Sequence, residues 1–164
     1  MFRLATQADF PAILAIYNQV IESRIVTADL VPATEESRRA WFDFHLASKK
    51  YPIWVLEQAG EVVGWCSYSQ FYSRSAYDGT AEISFYVDNK QHGKGLGKAC
   101  IEFLKAEMPN HQLHTLLAFV FGNNTPSIHA LQKNGFTPWG NLPRVADMQS
   151  HFEDLVILGY QQAV

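Results

Sequence analysis

Eight residues, Gln91-His92-Gly93-Lys94-Gly95-Leu96-Gly97-Lys98, constrain this chain more than any other stretch. They follow a strand-like run, Ala81 to Val87, and open a helix-like run, Lys98 to Glu107. Glycines at alternate positions let a backbone adopt conformations closed to other residues and let a ligand come close. Amides gathered at a helix start seat phosphate oxygens. The octapeptide therefore reads as a grip for a pyrophosphate-bearing cofactor; alone, it reads also as a Gly/Lys surface turn. Two common nucleotide motifs are excluded. A Walker loop places Ser or Thr after its lysine, and here Ala99 follows Lys98. A dinucleotide fingerprint has G-x-G-x-x-G early in a βαβ unit, whereas this chain has G-x-G-x-G in mid-chain.

The surrounding chain sets the scale. Its 164 residues suit a single domain, 1–164, with room for a core, and 48% of them are apolar. A net charge of −3 provides no basic footprint for nucleic acid. No apolar run approaches the roughly 20 residues that span a bilayer. Met1-Phe2-Arg3-Leu4 turns acidic at Asp9 without the apolar core of a signal peptide, so the cytoplasm is the expected compartment. Cys66 and Cys100 lie far apart in apolar contexts and read as buried thiols, not as a disulfide, a metal site or a nucleophile. No metal is expected.

Periodicity and turn signals predict the order β-α-α-β-β-β-α-β-α-β-β. A short strand, Phe2 to Ala5, precedes a helix from about Asp9 to Ser23, capped by Thr6. A second helix opens at Thr34-Glu35-Glu36-Ser37 with a capping-box-like start and carries Trp41, Phe42 and Phe44. A hairpin, Ile53 to Gln58 and Glu61 to Tyr68, turns at Ala59-Gly60. An irregular piece, Ser69 to Gly79, leads into a strand from Thr80 to Val87. Beyond the glycine loop and its helix come a strand at Leu116 to Phe121, a helix at Pro126 to Asn134, and strands near Phe136 to Leu142 and Phe152 to Leu158. This predicts an α/β fold with a mixed central sheet and helices on both faces.

Two motifs then carry a resemblance. His92-Gly93-Lys94-Gly95-Leu96-Gly97 is similar to the cofactor loop of the GNAT family of acetyl-CoA-dependent N-acetyltransferases. Asn124-Thr125-Pro126-Ser127 through Lys133-Asn134-Gly135-Phe136 resembles its second signature, in the same order. A narrower resemblance is to the phosphinothricin and methionine-sulfone acetyltransferase branch. It rests on Ile16-Tyr17-Asn18, Pro32-x-Thr34-x-x-x-Arg38-x-x-Trp41, Phe71 to Tyr77, Glu82 to Val87, and the tail around Val145 and Asp154, and covers nearly the whole chain.

The resemblance implies roles. Amides from Gly93, Lys94, Gly95, Leu96, Gly97 and Lys98 would hold the pyrophosphate of acetyl-CoA, and the backbone of Phe85, Tyr86 and Val87 would run beside its pantetheine. Asn124 would contact the same arm, although an asparagine there also reads as a helix cap. Lys133 reads either as a contact to the adenosine phosphates or as a solvated lysine. Glu82 would be the general base; its other reading is an edge-strand glutamate or a structural ion pair. Arg74 would clamp the carboxylate of an amino-acid acceptor, with Tyr72 and Ser73 beside it. Ile83 and Ser84 complete the acceptor set, Ser84 sharing the face of Glu82 by strand alternation. The branch also implies a homodimer and a small-molecule amine acceptor.

Several residues depart from the family pattern. His92 stands where the loop signature has Gln or Arg. Leu131 stands where many members carry a tyrosine that protonates the departing thiolate; His129, two positions away, falls elsewhere on the helix. Thr27-Ala28-Asp29 replaces Thr-Phe-Glu, and Met148 and Ser150 replace Lys and Gly. The implied reaction is direct acetyl transfer in a ternary complex, because no serine or cysteine stands in a nucleophile elbow. Acetylation of a peptide N-terminus and a non-catalytic acyl-CoA-binding module are the competing readings.

Overall fold

The computed structural model describes residues 1–163. Seven strands and four α-helices follow the predicted order. They are β1 (Phe2–Leu4), α1 (Phe10–Ile21), α2 (Glu35–Ala47), β2 (Ile53–Gln58), β3 (Glu61–Gln70), β4 (Thr80–Val87), α3 (Leu96–Glu107), β5 (Thr115–Phe121), α4 (Thr125–Lys133), β6 (Thr137–Asp147) and β7 (Phe152–Gln161). They form one mixed sheet in the order β1-β2-β3-β4-β5-β7-β6. Every pairing is antiparallel except β4 with β5.

Local chemistry sets the element ends. Asp9 receives Arg3 Nη1 at 2.8 Å, Arg3 Nη2 at 2.9 Å and the Thr6 amide at 2.8 Å, which fixes the entry into α1. Those bonds, the arginine ones foremost, hold its carboxyl down at about 2. The Ser37 amide donates to Thr34 Oγ1 at 3.0 Å and the Thr34 amide to Ser37 Oγ at 2.9 Å, a reciprocal cap for α2. Ala59 (φ 51°) and Gly60 (φ 79°) close the β2–β3 hairpin with two left-handed residues, as a tight type I′ turn demands.

Two cores lie on opposite faces of the sheet. On one, Ile101 and Leu104 of α3 and Leu131 of α4 pack on Cys66, Ala81, Ile83 and Leu116. On the other, Ile13 and Ile16 of α1 and Phe42 of α2 cover Ile53, Val55 and Trp65. Cys66 and Cys100 are free, buried thiols, and burial pushes the Cys66 thiol up.

Several boundaries differ from the sequence expectation, among them the end of β7 at Gln161 and of α1 at Ile21. β3 runs on to Gln70, because its last residues pair with Ala81 to Ile83 of β4. α3 begins at Leu96, since Gly95 in a left-handed conformation already serves as its N-cap. β6 extends to Asp147 through Pro138 and Pro143, which an edge strand tolerates because it has a row of donors that needs no partner.

Candidate active site

The site arises where two neighbouring strands separate. β4 and β5 pair only at Thr80–Thr115, Ala81–Leu116 and Glu82–Leu117. Beyond Glu82, β4 continues against β3 alone, and beyond Leu117, β5 continues against β7 alone. The widening gap is a cavity of about 260 Å³ bordered by Glu82 to Tyr86 on one side and Ala118 to Phe121 on the other. It adjoins a larger cavity, about 490 Å³, bordered by Val87, Gly93, Gly95, Leu96, Gly97 and Asn124 among others.

The glycine loop is shaped for an anion. Gly93 (φ 80°) and Gly95 (φ 76°) are left-handed, and a Cβ built on either meets nothing within 4 Å. Their need for glycine is therefore conformational, and the space in front of them is open. The first intrahelical bond of α3 runs from the Ala99 amide to the Gly95 carbonyl. The amides of Leu96, Gly97 and Lys98 are thus the unpaired donors of a helix start, with the positive end of the helix dipole behind them. His92 Nε2 lies 3.2 Å from the Val87 carbonyl oxygen and ties the loop to the strand end. A chain of open cavity, strand backbone and helix-start amides fits a long pantetheine arm ending in a pyrophosphate.

Comparison with known proteins decides the family. Residues 15–136 match the Acetyltransferase (GNAT) family. The chain belongs to the GNAT family. It is similar to YwnH of Bacillus subtilis, 44% identical over 158 residues, with 96% of each chain covered. It is 35% identical over 157 residues to the L-methionine sulfoximine/L-methionine sulfone acetyltransferase of Pseudomonas aeruginosa, covering 95% of this chain and 91% of that one. Among solved structures, a GNAT superfamily phosphinothricin acetyltransferase from Sinorhizobium meliloti in complex with acetyl-CoA superposes with a TM-score of 0.91 at 25% identity, over 99% of this chain and 88% of that one. This GNAT protein is an N-acetyltransferase.

Within the GNAT cleft, Glu82 and Ser84 face the gap, and burial raises the Glu82 carboxyl above the ordinary range. No ion pair engages Glu82 among the described residues. Phe85, Tyr86 and Val87 border the larger cavity. Asn124 borders both cavities and also caps α4, its Oδ1 accepting from the Ser127 amide at 3.4 Å. The two readings of that residue are compatible.

Ile83 borders the cleft as well, with its side chain 5% exposed in the α3-side core and turned to the opposite face from Glu82 and Ser84 by strand alternation. Other residues stand apart. Lys94 and Lys98 direct their ammonium groups to Gln91 and Glu102, leaving their amides for the phosphate seat. Tyr72, Ser73 and Arg74 are exposed and do not border the cleft. They follow Phe71, whose ring stacks on Phe119 at 6.4 Å, and Phe119 does border the cleft. Leu131 is fully buried and borders the cleft without a proton to donate. Lys133 is exposed.

The loop that the sequence marks by Thr27-Ala28-Asp29 in place of Thr-Phe-Glu supplies one wall of the cleft, through Val26, Thr27 and Ala28. It lies 54 or more positions from Glu82, and no local pattern reports that distance. The signal available was its difference from Thr-Phe-Glu.

Proposed function

We propose that this protein transfers acetyl from acetyl-CoA to the α-amine of a small amino acid or analogue, of the methionine sulfone, methionine sulfoximine and phosphinothricin class. One observation carries the reading: the parting of β4 from β5 puts Glu82 on the last rung of the ladder, at the end of a continuous cavity that leads to the glycine loop. The named activities of the relatives supply the acceptor class.

Acetyl-CoA lies with its pyrophosphate on the amides of Gly93 to Lys98 and its pantetheine along Phe85 to Val87 and Asn124. Amine and thioester meet in one ternary complex, and holding them together provides much of the rate. Glu82 takes the ammonium proton, directly or through a water, and burial shifts its carboxyl upward, the direction that task needs. The free nitrogen attacks the thioester carbonyl, and a β4 backbone amide stabilises the tetrahedral oxyanion. The C–S bond breaks and coenzyme A departs as its thiolate, which Leu131 cannot protonate; a thiol pKa of about 8.5 makes unassisted departure feasible. Arg74, with Tyr72 and Ser73, closes on the acceptor carboxylate from the segment before β4.

We also propose that residues 1–164 form a single domain acting in the cytoplasm as a homodimer. The apolar side chains exposed on β6 and β7, Trp139, Leu142, Val145 and Phe152, support that interface. The testing experiment is coenzyme A release from acetyl-CoA against a panel of amino acids, methionine sulfone and sulfoximine, phosphinothricin and short peptides. Turnover on small carboxylated amines is expected. Turnover on peptides alone, or acetyl-CoA binding without turnover on any amine, refutes the assignment.

A further inference from the structure

Beside the cleft, on the α1–α2 face of the sheet, lies a third cavity of about 140 Å³. Four rings wall it: Tyr17 of α1, Trp41 of α2, Trp65 of β3 and Tyr86 of β4. Their centroids stand 5.7 Å apart for Trp41–Trp65, 4.8 Å for Trp65–Tyr86 and 5.1 Å for Tyr17–Tyr86. The packing is fixed from outside. Trp65 Nε1 donates to the Ile13 carbonyl at 3.1 Å, and the Tyr17 hydroxyl is bonded to Thr27 at 2.7 Å and to Asp29. One cation enters this aromatic box. The Arg38 guanidinium lies 5.4 Å from the Tyr17 centroid, and its Nη2 is held by Asp29.

The box adjoins the cleft. Ser84 and Tyr86 border both it and the cleft, and Glu82 precedes Ser84 by two residues on the same strand face. At about 3.3 Å per residue, an acceptor amine at Glu82 lies roughly 7 Å from Ser84. An α-amino acid with a two-methylene side chain spans that distance. Size agrees too. An apolar cavity of about 150 Å³ holds a benzene ring, six heavy atoms. A side chain of two methylenes and a methyl-capped sulfone also has six.

Resting on the acceptor class proposed above, we propose that this box receives the acceptor's side chain. Its rings would hold the methylenes and terminal methyl, and Arg38 would donate to the oxygens of a tetrahedral oxo end group, as in a sulfone, sulfoximine or phosphinate. The chemistry matches at each point. A methyl polarised by a neighbouring sulfonyl is attracted to the faces of indole and phenol rings. A guanidinium carries five N–H donors, so a nitrogen held by Asp29 leaves others to reach oxygen. Asp29 serves the site by fixing the orientation of Arg38 and Tyr17.

Two measurements test this. In the first, transferred NOE spectra of wild-type protein with methionine sulfone should show contacts from the S-methyl protons to indole and phenol ring protons. In the second, kcat/KM is measured for methionine sulfone and for norleucine, an apolar side chain of similar length, in wild type and in Arg38→Met. The sulfone-to-norleucine ratio should fall about tenfold or more, as loss of a charge-assisted hydrogen bond requires, with the KM for acetyl-CoA unchanged. A purely structural role for Arg38 lowers both acceptors equally and leaves the ratio where it was, which overturns the proposal. Sulfone turnover in wild type without ring contacts to the methyl overturns it as well, while leaving the acetyltransferase assignment standing. No binding or turnover of any free amino acid overturns both.

Discussion

Replacing Gly95 by alanine isolates the phosphate seat from ordinary backbone strain, because Gly60 offers a matched control. Gly95 has φ 76° and Gly60 has φ 79°, and a Cβ on either meets nothing within 4 Å. Both substitutions therefore carry the same expense, an L-residue in the left-handed region, about 1–2 kcal/mol. Reduced freedom of the unfolded chain returns about 0.4–1 kcal/mol, leaving a net loss near 1 kcal/mol. For a chain of this size that is about 2–4 °C in Tm. The two part company over the ligand. Gly95 borders the larger cavity, proposed to take the cofactor, whereas Gly60 sits in the β2–β3 turn. In the proposed binding mode, a methyl group at Gly95 would intrude where a phosphate oxygen meets the helix-start amides. Losing one such charge-assisted bond weakens binding by about 10-fold or more. Thermal melting and calorimetric titration with acetyl-CoA read both effects. Equal acetyl-CoA affinity in the two variants would refute the phosphate-seat argument, whatever the melting temperatures show.

Glu82→Gln should lower kcat/KM by about 10²–10⁴-fold and abolish the acid limb of its pH profile. Since burial raises this carboxyl, that limb should lie above the ordinary carboxylate range; an unchanged limb in the variant would remove Glu82 as the base. The same raised pKa means the charged form weakens the fold as pH climbs through it, so Glu82→Gln should melt higher than wild type at neutral pH. Asp9 works in the opposite sense, its folded pKa depressed from 3.8 to about 2. Its stabilisation is present above the unfolded value and lost as pH falls from about 4 to 2, and Asp9→Asn should cost about 1–2 kcal/mol at pH 7 in urea unfolding, after discounting for the surface position of Arg3. Arg74→Ala should raise KM for carboxylate acceptors much more than for their amides, and equal effects would take Arg74 out of the acceptor site. Val145→Glu should convert dimer to monomer in light scattering, and an unaltered mass would place the interface elsewhere.

Much of the fold was legible because local rules and global packing agree. Thr34 and Ser37 announce a cap and form one, and Ala59-Gly60 announces a hairpin and turns it. The glycine loop was legible for the same reason: Gly93 and Gly95 are needed for their φ values, which belong to the residues themselves. What could not be read depends on distance. Tyr17 and Trp41 stand in the sequence only as motif residues, and it is the crossing of α1 and α2 over β3 and β4 that leaves a cavity between their rings and that of Trp65. The extension of β6 beyond Leu142 was hidden by Pro143, whose missing donor matters only in a strand with neighbours on both sides.

The two halves of the sheet share three rungs and the core beneath α3 and α4, and along the rest of their common line they stand apart. One half is β1 to β4, the other β5 to β7, and each lip of the opening presents backbone donors and acceptors that no neighbouring strand uses. A pantetheine arm, with its own amides spaced along an extended chain, has the form of a surrogate strand. Bound there, it would stitch the halves together, so firmness of the whole sheet would follow the supply of the metabolite. At one hundred times its dissociation constant such a ligand adds about 2.7 kcal/mol to stability.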